Sequence, residues 1–240
     1  MMILHDKNEI EAFLRQNVFL QIYSIGDLDD FFWNYTTWYA LKQDGVIKAI
    51  ILFYTGLSLP PLLALTDDIK PMKELLRSIR HLLPNRFYTH LTPGLEEVIQ
   101  EQFQLKSYGE HYKMALKHKS RWEEVDTSKV VPLSTADLDD ILKLYEASYP
   151  NNAFDPRMLE TNQYFGIRGE DELLSIAGIH VYSKQYSVAA PGNVATHPDY
   201  RGQGYGTAVI ARLCKSLSET VDHIGLNVKF DNHTAISLYE

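Results

Sequence analysis

Residues 193–207, Asn-Val-Ala-Thr-His-Pro-Asp-Tyr-Arg-Gly-Gln-Gly-Tyr-Gly-Thr, read as a strand, a glycine-rich turn and the start of a helix. Such a junction can hold an anion. The first N–H groups of a helix have no intrahelical acceptor, and the helix dipole adds partial positive charge. Gly202, Gly204 and Gly206 let the backbone approach a phosphate with no Cβ in the way, and Arg201 can add a charged contact. The spacing is not a Walker A loop, which needs Lys and then Ser or Thr after its last glycine, nor the dinucleotide fingerprint, which spaces its last glycines more widely. Taken alone, the glycines fit a structural turn as well as a phosphate site. His180, Glu146 and His197 could each accept a proton. Each also has a structural reading: His180 as a strand residue, Glu146 as a solvated helix side chain, His197 as a turn residue before Pro198. Cys214 falls on the apolar face of the helix after the turn and reads as packing. Tyr239, taken alone, reads as a core tyrosine on a helix face.

The elements that must position these groups follow from periodicity. In the first half, residues 38–40 and 46–54 form a hairpin around Asp44-Gly45. Residues 62–65, 86–91 and 111–116 read as strands. Pro71 opens a helix with Met72, Leu75, Leu76, Ile79, Leu82 and Leu83 on one stripe, and residues 95–103 form another helix. In the second half, Ser134 and Asp137 fit a capping box before a helix whose buried stripe is Leu138, Ile141, Leu142 and Tyr145. Asp155-Pro156 restarts a helix. Residues 164–168, 173–182 and 187–196 read as strands, with Pro191-Gly192 marking a bulge or splayed edge in the last. Residues 226–228 read as one more strand. The alternation indicates an α/β or α+β class in two domains: residues 1–118, a polar linker at 119–129, and residues 130–240.

Composition narrows the function classes. At 240 residues, 45% hydrophobic and 22% charged, the chain is an ordinary globular protein rather than a disordered one. The longest apolar run, Ala49 to Tyr54, is far short of a membrane span. The net charge of −8, concentrated in the second half, argues against nucleic acid and mildly favours a cationic small substrate. A single cysteine and a polar N-terminus without a signal-peptide core fit a cytoplasmic protein. No metal-ligand pattern stands out.

The whole segment is more specific than its glycines. It resembles the acyl-CoA binding motif of the GNAT superfamily of N-acetyltransferases, Arg/Gln-x-x-Gly-x-Gly/Ala, on Arg201, Gly204 and Gly206. A second block, Asp231-Asn232-His233-Thr234-Ala235-Ile236-Ser237-Leu238-Tyr239-Glu240, resembles the family's Asn-x-x-Ala-x-x-Leu-Tyr-Glu helix. The resemblance implies a mixed, mostly antiparallel sheet flanked by helices, with acyl-CoA between two diverging strands. It implies that backbone around Val194, Ala195 and Thr196 pairs with the pantetheine arm. Arg201, Gly202, Gln203, Gly204, Tyr205, Gly206 and Thr207 would hold the pyrophosphate, and Asn232 would reach the pantetheine or stabilise its own turn. Tyr239 would protonate the departing thiolate of acetyl-CoA after direct attack by the amine of a small molecule or peptide.

Two departures stand out. Asn227 occupies the strand position where many relatives carry Glu, so the base must be a water chain, His180 or a carboxylate such as Glu146. The family's closing strands are also missing after Glu240, so other residues must complete the sheet or the sequence is cut short. The first half lacks both motifs and resembles a degenerate copy of the same fold, with an unrelated accessory domain as the competing reading. A non-catalytic acyl-CoA-binding or interaction module and a nucleotide-binding protein remain alternatives to the enzyme, and self-association into a homodimer is left open.

Overall fold

The structure, a computed structural model, describes residues 1–117, 120–150, 152–170 and 172–239. It divides into two units, Met1–Tyr108 and Gly109–Glu240.

The first unit holds β1 (Met2–Leu4), α1 (Lys7–Leu14), α2 (Val18–Gly26), α3 (Asp30–Trp33), β2 (Thr36–Gln43), β3 (Val46–Tyr54), β4 (Pro61–Ala64), α4 (Ile69–Ile79), β5 (Tyr88–Leu91) and α5 (Glu96–Gln100). The hairpin turn has Asp44 and Gly45 both at positive φ, 51° and 78°, as a two-residue hairpin turn requires. The sheet runs β1-β2-β3-β4-β5, and only β4 and β5 are parallel. The apolar stripe of α4 (Met72, Leu75, Leu76, Ile79) is fully buried against β2 and β3. Helices α1 to α3 have no counterpart in the periodicity reading. Their signals are the side-chain caps Asp6, Asn17 and Asp29, each accepting backbone N–H groups of the first turn.

The second unit holds β6 (His111–Ala115), α6 (Ser120–Glu123), β7 (Val131–Pro132), α7 (Leu138–Ser148), β8 (Phe165–Arg168), β9 (Leu173–Ser183), β10 (Val188–Thr196), α8 (Tyr205–Ser218), β11 (His223–Lys229) and α9 (His233–Tyr239). Its sheet order is β6-β11-β10-β9-β8-β7. Two sequence assignments change here. Strand β6, read above with the first half, pairs antiparallel with β11 along five residues, Gly225↔Ala115 to Lys229↔His111. It forms the edge of the sheet beside β11. The stretch read as a linker also contributes to this unit: Trp122 is buried in its core and Lys215 Nζ donates to the Val125 carbonyl at 3.0 Å. On α7 the capping box at Ser134 and Asp137 is present, but Leu142 is 48% exposed and Leu144 takes its place in the core.

Strand β10 is irregular on both sides of Pro191. Between the partners of Ala190 and Pro191, β9 inserts one extra residue, His180; between Gly192 and Ala195, β10 inserts one extra residue of its own. Asn193 sits at φ 52°, a left-handed conformation that Asn tolerates better than most residues. A buried network holds this bulge. Tyr145 on α7 donates its hydroxyl to the Asn193 carbonyl at 2.7 Å. Tyr164 donates its hydroxyl hydrogen to the Ile179 carbonyl at 2.9 Å and accepts from Asn193 Nδ2 at 3.0 Å. Tyr164 is fully buried, and that burial pushes its phenol well above the usual range, so it stays neutral.

Gly178 and Gly192 face each other across β9 and β10 and make room for two rings. A Cβ at Gly178 would lie 2.0 Å from the Tyr164 ring, and one at Gly192 would lie 2.1 Å from the His180 ring. This is the sheet face opposite α8. Arg212 of α8 stacks on Phe165, Phe165 pairs with Ala177, and the neighbouring Gly178 points the other way.

Gly178→Ala is expected to lower stability by about 1–3 kcal/mol, because a fully buried ring cannot give way without strain. Tyr164→Phe should cost about 1–3 kcal/mol, since it leaves the Ile179 carbonyl and the Asn193 amide short of a partner. Urea unfolding of each variant against wild type measures both; an unchanged midpoint for either would contradict the packing described.

Candidate functional site

Strands β10 and β11 are parallel but share only two paired positions, Val188↔His223 and Ala189↔Ile224. Beyond them β10 stays with β9 to Thr196, and β11 stays with β6 to Lys229. No ladder joins β10 to β11 past Ala189 among the described residues, so Val194, Ala195 and Thr196 lie on an edge that β11 does not pair. On their other side these residues are anchored by Ser175. Its hydroxyl donates to the Ala195 carbonyl at 3.1 Å and lies 2.9 Å from Thr196 Oγ1. The first unit has no such opening, because all four residues of β4 pair with β5.

At the C-terminal end of β10 the chain makes one 3-10 turn at Pro198–Tyr200 and enters the glycine loop. Gly202 and Gly204 have φ of 76° and 79°, and a Cβ built on either meets nothing within 4 Å. These glycines serve the backbone path and leave open space beside it. Gly204 is the N-cap of α8 and supplies no side-chain acceptor, so no cap covers the N–H groups of the first turn. The helix has 14 residues, long enough for its dipole to matter at this end. Arg201 is exposed and its Nε donates to the Thr196 carbonyl at 3.3 Å, which holds the guanidinium at the mouth of the loop. Gln203, Tyr205, Gly206 and Thr207 complete this turn with exposed or half-buried positions. In the first unit, α4 starts differently. Asp68 caps it with a carboxylate that accepts from the Lys70 N–H at 3.2 Å, filling the place an anion would take.

The other sequence candidates fall into clear places. Asn232 caps α9: its Oδ1 accepts from the Ala235 N–H at 3.1 Å, so of its two expected roles the structure displays the turn-stabilising one. Tyr239 is the last residue of α9, and its side chain lies outside the described residues. His197 is a turn residue, with Nδ1 accepting from the Asp199 N–H at 3.4 Å. Glu146 is on the exposed side of α7. Burial pushes the Cys214 thiol up to about 12, so it remains a protonated packing group. His180 lies against Gly192 of β10, and burial lowers its imidazole to about 4, which keeps it neutral across the physiological range.

Asn227 faces a residue that sequence reasoning did not single out. Lys113 stands directly across from it on β6 and donates from Nζ to Asn227 Oδ1 at 3.2 Å. Burial lowers the Lys113 ammonium to about 8. The two are 114 positions apart, and no local pattern reports a pairing at that separation.

Comparison with known proteins places this geometry. Residues 132–240 match the acetyltransferase (GNAT) family. An acetyltransferase of Sodalis glossinidius is 46% identical over 48 residues, which are 20% of this chain and 34% of that protein. The match thus spans about a third of its length. A GNAT-family acetyltransferase structure from Colwellia psychrerythraea superposes on 99% of this chain and 92% of its own, with a TM-score of 0.55 and 11% identity. A Drosophila protein of known structure does so over the same shares with a TM-score of 0.70 and 12% identity. These two likenesses concern the fold, and they extend through both units. The motif-bearing turn, the diverging strands and the match to the acetyltransferase (GNAT) family model coincide in one stretch of chain, residues 132–240.

Proposed function

We propose that the second unit transfers an acetyl group from acetyl-CoA to a primary amine, carried by a small molecule or a peptide, by direct attack of the amine on the thioester. The observation that carries this reading is the parting of β10 from β11 beside an uncapped, glycine-lined helix start. An extended pantetheine arm can add to the unpaired edge of β10 as a short strand, through backbone of Val194, Ala195 and Thr196. A diphosphate suits the amides from Gly202 to Thr207, with Arg201 as the charged partner. Pairing along β10 fixes the thioester in place, and a backbone N–H at the bulge can polarise its carbonyl. Tyr239 is the proposed proton donor to the leaving thiolate, and Asn232 supports it by starting the helix that carries it. The acidic balance of the chain favours an acceptor that arrives as a cation.

The contrast between the units supports a single acyl-CoA site. The first unit repeats the order strand, helix, parallel strand in β4-α4-β5, but its strands stay paired and its helix start is capped by Asp68. We assign it no coenzyme.

Titration calorimetry with acetyl-CoA is expected to give one site per chain. Arg201→Ala should weaken binding about tenfold, the loss of one charge-assisted contact. Wild-type protein that takes up no acetyl-CoA would end this reading. Tyr239→Phe should bind acetyl-CoA as wild type does while amine-dependent release of CoA falls about 100-fold, followed by a thiol reagent. Binding without any amine-dependent release would favour the non-catalytic alternative.

A further inference from the structure

The proposed chemistry needs a group that takes the proton released when an amine becomes an amide. Asn227 cannot serve, because a neutral carboxamide has no basic lone pair at working pH. Glu146 projects from the exposed side of α7. His180 has a different setting. It is the extra residue that β9 inserts opposite Ala190-Pro191, and its ring leaves its own strand to lie across β10. The ring covers Gly192 so closely that a Cβ there would sit 2.1 to 2.7 Å from Cδ2, Nε2 and Cγ. Gly192 is therefore required as the cradle for this imidazole. The residue is half-buried, and its ring lies on the face of the sheet opposite α8, the face of Gly178 and Gly192. Asn193 and Val194, the bulged residues at the start of the unpaired edge, come next in the chain.

We propose that His180 is the catalytic proton acceptor on the amine side of the thioester, an inference that rests on the acetyl-transfer reading above. The amine arrives neutral and its lone pair forms the N–C bond to the thioester carbon. The adduct nitrogen then carries an extra proton and is far more acidic than a free ammonium. His180 takes that proton as the C–S bond breaks, the electron pair leaves with sulfur, and Tyr239 returns a proton to the thiolate. The imidazolium afterwards loses its proton to water. Neutral over the physiological range, the imidazole enters each cycle ready to accept.

Proximity can be tested without knowing the acceptor. Bromoacetyl-CoA carries a carbon–bromine bond next to the thioester carbonyl, and a nearby imidazole nitrogen displaces the bromide. Full-length protein incubated with this reagent is expected to gain one carboxymethyl-thioester adduct, mapped by mass spectrometry to His180. Excess CoA should block it, and His180→Gln should lack it. In parallel, turnover of acetyl-CoA with putrescine, glycine, tyramine and an alanine-starting tetrapeptide is compared in wild type, His180→Ala, His180→Gln and Glu146→Gln. The His180 variants should lose about 100-fold or more while binding acetyl-CoA normally, imidazole should restore part of the His180→Ala rate, and Glu146→Gln should match wild type. Labelling confined to Lys113 or another residue, turnover kept in His180→Gln, or a loss that imidazole does not relieve would each overturn the assignment to His180 and leave the acetyl-transfer reading standing. Wild-type protein that fails to bind acetyl-CoA would instead defeat that reading itself.

Discussion

Proline 191 has no amide hydrogen, Gly192 has no side chain, and Asn193 turns left-handed. A strand with that run at its middle cannot keep regular ladders on both sides. In β10 the ladder to β9 survives with two register shifts, and the ladder to β11 ends after Ala189. Everything else about the second unit is arranged around that failure. Ser175 secures the far edge of β10 at Ala195 and Thr196, and Tyr145 and Tyr164 clamp the bulge from the face opposite α8. These bonds hold the edge in place although no ladder to β11 reaches it among the described residues. Satisfied buried hydrogen bonds are what allow an irregular strand to persist, because an unmet buried polar group would cost more than the irregularity saves. One atom departs from this: Asn193 Oδ1 is buried and has no partner, since the single hydrogen of Tyr164 is committed to Ile179.

The two units differ at one corresponding place. Both contain a parallel strand pair joined through a helix, β4-α4-β5 and β10-α8-β11. Full pairing of β4 and β5 closes the sheet where the other unit opens, and a carboxylate at Asp68 sits where the other unit has Gly204. A negative side chain at a helix start stabilises the helix and repels an anionic ligand by the same electrostatics.

What sequence alone revealed divides along physical lines. The glycine turn, the apolar face of α8 that carries Cys214, and the Asp44-Gly45 hairpin are legible because each depends on neighbours within a few residues. The Pro191-Gly192 pair announced a bulge, and a bulge is there. Strand β6 belongs with the second unit through a pairing that no local pattern reports: nothing in residues 111–115 names β11 as partner. Leu142 was given to the core because it keeps helical spacing with Leu138 and Tyr145, yet the packed face is centred on Leu144. The apolar residues of the first three helices lack a clean stripe, and only the caps Asp6, Asn17 and Asp29 mark their starts in the sequence. His180 was visible as a candidate, but its place over β10 depends on Gly192 being its cross-strand cradle, which only the fold reveals.

A structure of the full chain crystallised with acetyl-CoA addresses the central claim most directly. The account requires the pantetheine arm to run along Val194–Thr196 as an added strand, with its diphosphate on the amides that open α8. Coenzyme bound at the first unit, or a gap between β10 and β11 filled by the protein's own chain while the coenzyme lies elsewhere, would contradict it.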